Sequence, residues 1–507
     1  VKTKKSFRAK ANNGIIKETG IKGLGKMDRY INADNRDQMN LIPMCMDDMI
    51  APDCEVRAID AIVDKMDISS IGFTYSETKG TGRKPYNPVD MFKLYAYSYF
   101  NGIRSSRKIE RECNRNIEVM WLINGLKPDF KTIADFRKNN KQPIKQAFHK
   151  FSMICDELGL IGKEMIAVDG SKFRASNSRF AYHSEKKIQK KIEHYNTVAE
   201  QYMLLLDKCD EQEDSHVSQK LSRPEIEEKI EGINKRLSEL EELKQQVINN
   251  GTIYATDPDS RMMQTNNKGC DICHNVQMAV DDKNHLVVAV DVTSEPVDKE
   301  QLHNITLQAK EELGVETITA IADKGYYSAV QFAKCKEDNI IPIVSKADRS
   351  FMAATKEYGK AQFRYDENQD GYICPEGHLL RVYHHRKEYT PETDLKRYRN
   401  YEACSNCPVR EKCSNGKKGR TIQDRPFQRI ADEVDRRTEQ LADMYKIRKQ
   451  TVEHPWGTIK RAMGFSYFLT RKTENVRTES LLHFLVYNMK RAINIIGTRQ
   501  LIGILQG

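Results

Sequence analysis

At 507 residues the chain exceeds one simple core, and two to four structural units are expected. Lys and Arg number 82 against 72 Asp and Glu, leaving a net charge of +10 and a pI near 8.8, which suits a polyanionic partner without requiring one. No stretch is apolar and long enough to span a bilayer, and Val1-Lys-Thr-Lys-Lys5 lacks a signal-peptide core, so a soluble, cytoplasmic protein is expected, with no membrane partner. A leading valine read as a GTG start codon hints at a bacterial gene. Twelve cysteines in that setting should be reduced, so clustered ones point to metal rather than disulfides.

Residues 1–40 are polar and Asn- and Lys-rich, with an irregular course expected. The pattern over 41–160 is helical. Asn87-Pro88 opens a helix with Met91, Leu94, Tyr95 and Tyr99 on its apolar face. Asn101-Gly102 breaks it, Ser105 or Ser106 caps a helix from Arg107 to Arg115, and Thr132-Ile-Ala-Asp135 reads as a capping box for a third. Three such helices are compatible with a helix-turn-helix. Arg104, Arg107, Lys108 and Arg111 gather four cations near one helix N-terminus, where free N–H groups already attract phosphate. A solvated helix face explains them equally well.

From residue 161 the character changes. Glu164 to Asp169 reads as a buried strand ending on a carboxylate. Over 185–250, Ile188, Ile192 and Tyr195, then Ile226, Ile230, Ile233, Leu237 and Leu240, recur at helical spacing, which predicts an antiparallel helical hairpin turning near Cys209–His216. Ser222-Arg-Pro-Glu225 supplies a capping box for its second helix. Asn275–Asp281 and His285–Asp291 form a strand hairpin, Lys299–Leu313 a helix closed by Gly314, and Thr317–Asp323 a second strand ending on a carboxylate. A helix over 329–337 and a strand over 340–344 complete a mixed sheet covered by helices.

Asp169 and Asp323 stand out because each follows an apolar strand and precedes a loop, where carboxylates face the ligand crevice of an α/β sheet. Turn capping is the plain alternative for either one alone. Two close carboxylates repel unless a divalent cation lies between them, and Mg2+ is the usual ion for phosphoryl chemistry. Glu453, on a later helical segment, fits as a third acid.

The chain resembles the DDE insertion-sequence transposases, and among them the insertion-sequence eleven-eighty-two branch. Gly82-Arg-Lys-Pro-Tyr-Asn-Pro88, Ser105-Ser-Arg-Lys-Ile-Glu110 and Thr132-Ile-Ala-Asp-Phe-Arg137 match its helical domain. Asp169-Gly-Ser-Lys172, Asn275–Asp281, Asp323-Lys-Gly-Tyr326 and Val452-Glu-His-Pro-Trp-Gly457 match its catalytic blocks in order. The resemblance implies an α/β RNase H-like mixed-sheet core over 161–507, an N-terminal all-helical DNA-binding domain over 41–160, the hairpin insertion at 185–250, and a Cys-rich, zinc-ribbon-like insertion at 346–425.

It also implies Asp169, Asp323 and Glu453 as catalytic residues and Mg2+ ligands, with Mn2+ as a substitute. The implied reaction is in-line displacement on double-stranded DNA with two metals about 4 Å apart, cutting terminal inverted repeats and transferring the strands. A homodimer assembled on DNA follows from the need to cut two ends together. The family signature Tyr-x2-Arg-x3-Glu-x6-Lys is met by Tyr445, Arg448, Glu453 and Lys460, except that Arg448 lies one residue too far upstream and Lys449 holds the strict position. These four basic and aromatic residues are the DNA contacts the resemblance implies. A host nuclease on the same fold and a domesticated DNA-binding protein are the rival readings.

Cys374, Cys404, Cys407 and Cys413 form a second constellation. Four thiols, two of them spaced Cys-x2-Cys, suit a structural Zn2+, with an iron–sulfur cluster as the alternative and buried free thiols as the plain reading. Cys270-Asp-Ile-Cys-His274 imitates a c-type haem motif but falls in a strand block, so haem is rejected there. The C-terminal cations, among them Arg477, Lys490 and Arg491, are candidates for a DNA groove or a solvated surface.

Overall fold

The computed structural model describes residues 45–74, 84–211, 222–265, 269–346, 358–386 and 395–507. Residues 1–40, Gly82-Arg83 and most of the expected turn at 209–216 lie outside them. The chain divides into a unit over 1–49, of which Cys45–Met49 are described, and a unit over 50–507.

The larger unit begins with helices α1 (Glu55–Lys65), α2 (Pro88–Phe100), α3 (Ser106–Glu112), α4 (Ile117–Leu122), α5 (Phe130–Asn139) and α6 (Lys141–Glu157). Asn87 caps α2 by accepting the Val89 N–H at 2.9 Å, and Pro88 occupies the first turn where its missing N–H costs nothing. The cap of α5 corrects the sequence reading. Asp129, not Thr132, accepts the N–H groups of Lys131 and Thr132, both at 2.9 Å, because a carboxylate one turn earlier satisfies two free donors at once.

Strand β1 (Met165–Arg174) follows, then β2 (Tyr182–His183), the long helices α7 (Glu185–Glu211) and α8 (Arg223–Asn250), and β3 (Ile253–Tyr254). Helices α7 and α8 pack on each other through Ile188, Ile192, Leu240 and Val247, and β2 pairs with β3 at their base. Ser222 and Glu225 form the expected capping box. Strands β4 (Arg261–Gln264), β5 (Cys270–Asp281) and β6 (Val287–Thr293) lead to α9 (Leu302–Leu313), β7 (Ile318–Ala322), α10 (Ala329–Glu337) and β8 (Ile340–Val344).

The central sheet runs β6-β5-β1-β7-β8, with β4 sharing the outer edge of β5. Pairing is antiparallel between β6 and β5 and between β5 and β1, and parallel from β1 to β7 to β8. Helix α9 packs on this sheet, and so does a later helix, α14 (Ala442–Gly457). Asp169 is not at the end of its strand as expected. Gly170 to Arg174 continue to pair with Gln277 to Cys273, so a sequence that looks like a turn is held extended by its neighbour.

The Cys-rich segment forms a second sheet of β9 (Arg364–Asp366), β10 (Gly371–Ile373), β11 (Leu379–Arg386), β12 (Leu395–Arg399) and β13 (Ile422–Asp424), antiparallel throughout. Short helices α11 (Tyr401–Ser405) and α12 (Arg410–Cys413) lie within it. Helices α13 (Gln428–Gln440), α14 (Ala442–Gly457), α15 (Thr473–Ile496) and α16 (Thr498–Gln506) end the chain. The boundary near 160 does not separate two cores: α15 packs on α2 and α6 as well as on β6, and α16 packs on α1. One apolar core therefore runs from Ile50 to Leu505.

Candidate active site

Strands β1 and β7 pair in parallel only from Met165–Ala167 to Thr319–Ile321. Each then delivers a carboxylate two residues beyond the last pair, at the same end of the sheet. Asp323 is half-buried and caps the 3-10 turn Lys324–Tyr326 by accepting the Gly325 N–H at 2.8 Å. Asp169 accepts the Trp456 indole N–H at 3.0 Å on one oxygen, and the Arg448 guanidinium stands 3.5 Å from the other. Burial pushes the Asp169 carboxyl up to about 6. Arg448 opposes that rise, and the neighbouring charge of Asp323 adds to it.

Helix α14 presents Arg448, Val452 and Trp456 to the sheet at helical spacing, with Val452 and Trp456 buried. Glu453 sits one step round the helix, 64% exposed, with Lys449 3.8 Å away. The structure thus brings Asp169 and Asp323 together and leaves Glu453 at the surface. Among the described residues, no three His, Cys, Asp or Glu side chains stand in a metal-holding arrangement.

The irregular signature resolves on the same helix: Arg448, out of strict register, faces Asp169, and Lys449 faces solvent. Pro455 lacks the N–H that a regular turn needs, and the helix widens after Gly457 into a π turn over Thr458–Ala462. Lys460 in that turn donates to the Ser171 hydroxyl and lies 4.8 Å from the Phe173 ring centre, on the Asp169 face of β1. Burial pulls the Lys460 ammonium below its usual value, and Asp169 acts the other way.

Two family models match the chain: "Transposase domain (DUF772)" over residues 44–139 and "Transposase DDE domain" over residues 373–493. The chain carries the domains of a DDE transposase. That makes it an enzyme, of the class that cleaves DNA and transfers strands. The DDE match takes in Glu453 and the four clustered cysteines, while Asp169 and Asp323 lie upstream of it. A piggyBac transposase, solved by cryo-EM as a synaptic complex with hairpin DNA, aligns over 90% of this chain and 79% of that one. Identity there is 10% and the TM-score 0.30, too low to bear on the fold. No curated protein matches the chain.

The other cations named as candidate DNA contacts divide into two groups. Arg107, Lys108 and Arg111 are exposed on α3, with Arg107 stacked 4.6 Å over the Phe130 ring. Arg104 is buried instead. It donates to the Tyr467 carbonyl at 2.7 Å and faces Glu479, so it ties α2 and α3 to the C-terminal segment. Arg477 and Arg491 likewise bond Asp291 and the Asn284 carbonyl, and Lys490 lies over Phe100. Tyr445 hydrogen-bonds Ser345 at 2.8 Å and packs with Met165, Ile321 and Ile343.

Cys374, Cys404, Cys407 and Cys413 line one cavity of about 30 Å³ together with Phe363 and Leu380. Burial raises the Cys413 thiol, Arg420 opposes the rise, and the other three cysteines add to it, so Cys413 lies within the field of all three. Gly419, at φ +80°, passes so close to Cys404 that a Cβ would fall 2.4 Å from the cysteine Cβ. Cys270 and Cys273, three residues apart on β5, point to opposite faces, one exposed and one buried, and make no shared site.

Sequence reasoning missed Trp456, Ser171 and Asp298. Trp456 carried a signal, being one of only two tryptophans and three residues from Glu453. Asp298, in the loop between β6 and α9, carried none.

Proposed function

We propose that the chain is the transposase of an insertion sequence, binding the terminal inverted repeats of its element, cutting there and transferring the freed strands. The carrying observation is the strand order β6-β5-β1-β7-β8 with two antiparallel and two parallel pairings, the order expected of an RNase H-like core, with Asp169 and Asp323 emerging side by side from its two adjacent parallel strands. Glu453 is the third carboxylate of this reading.

The donor set suits a hard divalent cation. Two adjacent carboxylates, one of them with its pKa raised by burial, are the protein share that Mg2+ commonly takes, substrate phosphates and water completing its shell. When bound, Mg2+ (or Mn2+) lowers the pKa of the attacking water or 3′-hydroxyl and stabilises the leaving oxygen. The chain's own part is to hold the Asp169 carboxylate with Trp456 and Arg448, and to keep Lys460 over the same face of β1. Arg107, Lys108, Arg111 and Lys449, all exposed, are the proposed phosphate contacts, and cutting two ends together calls for a dimer on DNA.

The test is Mg2+-dependent cleavage of DNA bearing the element's ends. Specific cuts are expected, abolished in Asp169→Asn and Asp323→Asn while end binding persists. Wild-type cutting rates in either variant would sink the assignment. Binding without cutting by the unaltered protein, in Mn2+ as well, would favour a domesticated DNA-binding protein.

The four clustered cysteines line one small cavity without standing in a metal-holding arrangement, and they are proposed to close on a structural Zn2+, for which four thiols are the usual donors. Purified protein should contain near-stoichiometric zinc. Iron and sulfide in its place would make the site a cluster, and neither metal would leave four free thiols.

A further inference from the structure

The face of β1 turned away from Asp169 carries a second polar assembly. Lys172 pairs across the strands with Asn275, and Gly170 with Gln277, so these residues share that face. Three donors from it converge on one carboxylate, Asp298. Lys172 Nζ lies 3.0 Å from its Oδ2, and Asn275 Nδ2 and Gln277 Nε2 lie 2.7 and 2.8 Å from its Oδ1. The Gln277 amide oxygen accepts the Tyr326 hydroxyl, and Tyr326 closes the turn that Asp323 caps.

Gly170 and Gly325 show how tightly this assembly grips the two strand ends. A Cβ on Gly170 would fall 2.4 Å from Gln277 Nε2, 2.8 Å from Asp298 Oδ1 and 3.0 Å from the Tyr326 hydroxyl. One on Gly325 would lie 2.9 Å from Asp323 Oδ1 and 3.9 Å from Asp298 Oδ2. The same carboxylate therefore abuts the residue after Asp169 and the turn after Asp323. Backbone pairing of β1 with β7 stops at Ala167, so past that point no ladder bond fixes the spacing of the two strands. Asn275 and Gln277 are almost wholly buried, so water does not compete for the bonds that take over.

We propose that Asp298 is a positioning residue that sets the separation of Asp169 and Asp323. It acts through Gly170 on one side and through Gln277 and Tyr326 on the other, without touching DNA. The role rests on the reading of those two aspartates as catalytic. An anionic centre suits it, because charge-assisted hydrogen bonds are the stronger ones and a carboxylate accepts from several donors at once.

Asp298→Asn keeps the shape but turns an amide N–H toward Lys172 or toward the two side-chain amides. The half-saturating Mg2+ concentration for cleavage should rise about tenfold or more, the scale seen when outer partners of metal-holding groups are removed. End binding should be unchanged. Adding Lys172→Met lets the new amide keep accepting from Asn275 and Gln277 with no ammonium beside it, and the Mg2+ dependence should return most of the way. If the double variant regains thermal stability but not its Mg2+ dependence, re-forming the assembly does not set the site and the proposal is overturned. Asp169→Asn is run beside them. Should it still cut, the catalytic reading fails and takes this role with it. Should it be dead while Asp298→Asn behaves as wild type, only the positioning role falls.

Discussion

The central sheet buries β1, β5 and β7 in an apolar core that runs from Ile50 to Leu505, whereas the five-stranded sheet closes over Phe363, Tyr372, Leu380, Tyr398 and Ile422. Around that small core the bonding is polar. Asp370 gathers the hydroxyls of Tyr365 and Tyr398 and the Lys396 ammonium, which together hold its carboxyl down at about 2. A large core tolerates a half-buried carboxylate such as Asp169 at a cost in stability. A small one lacks that reserve, and the cysteines stand where a cross-link would make up the difference.

The largest expected effect separates the two sheets outright. Structural zinc contributes on the order of 10 kcal/mol to small metal-dependent folds. Chelation, or Cys407→Ser, should therefore melt the segment 358–424 while the central sheet stays folded, followed by amide hydrogen exchange. Protection lost in both sheets together, or in neither, would refute the idea that metal supports the small one alone.

Phe173→Ala probes the other side of the comparison. Phe173 is fully buried on β1 and touches Trp456, Phe465 and Phe468, with ring centres 5.7, 4.6 and 5.9 Å away. Its removal should cost about 3–5 kcal/mol in denaturant unfolding of the large core. Exchange protection within 358–424 should not change, because that sheet has a core of its own. A loss of protection there would mean the two cores are energetically one.

What the sequence reveals follows the same division. In the large core the apolar runs are long and periodic, so α10 and β8 fall on their expected residues, while β7 stops at Ala322 and leaves Asp323 one residue beyond it, as the cap of the next turn. The five-stranded sheet was illegible, because β9, β10 and β13 are three residues long and Leu395-Lys-Arg-Tyr-Arg399 shows no apolar alternation. Asp169 was picked out by the apolar run before it, but its mid-strand position depends on β5, a partner a hundred residues away. Glu453 could be placed on a helix but not on a face of it, since the face is set by long-range packing of α14 on the sheet, and Pro455 and the π turn blur the phase of Lys460 beyond it. The packing of α15 on α2 and α6 is long-range and left no local mark.

The smallest expected effect concerns the cost that the large core bears at Asp169. Its carboxyl titrates near 6 in the folded chain against 3.8 ordinarily, so the folded state binds this proton more tightly than the unfolded state does. The stabilisation that the proton confers is fully present below 3.8 and is lost as the pH rises through 6. Asn cannot ionise and can still accept the Trp456 N–H, but it leaves Arg448 without its counter-charge. Asp169→Asn should accordingly stabilise the chain by about 1–2 kcal/mol above pH 7, a figure reduced from the full shift for the lost Arg448 pair and partial exposure. The gain should shrink toward zero as the pH falls to 4. Thermal unfolding in chelator checks it, since a divalent cation would pull the same carboxyl back down. A variant that is dead in cleavage yet more stable at neutral pH would identify Asp169 as a residue kept for chemistry against the interest of the fold. A gain that did not vary with pH would mean that its charge is not what the core resists.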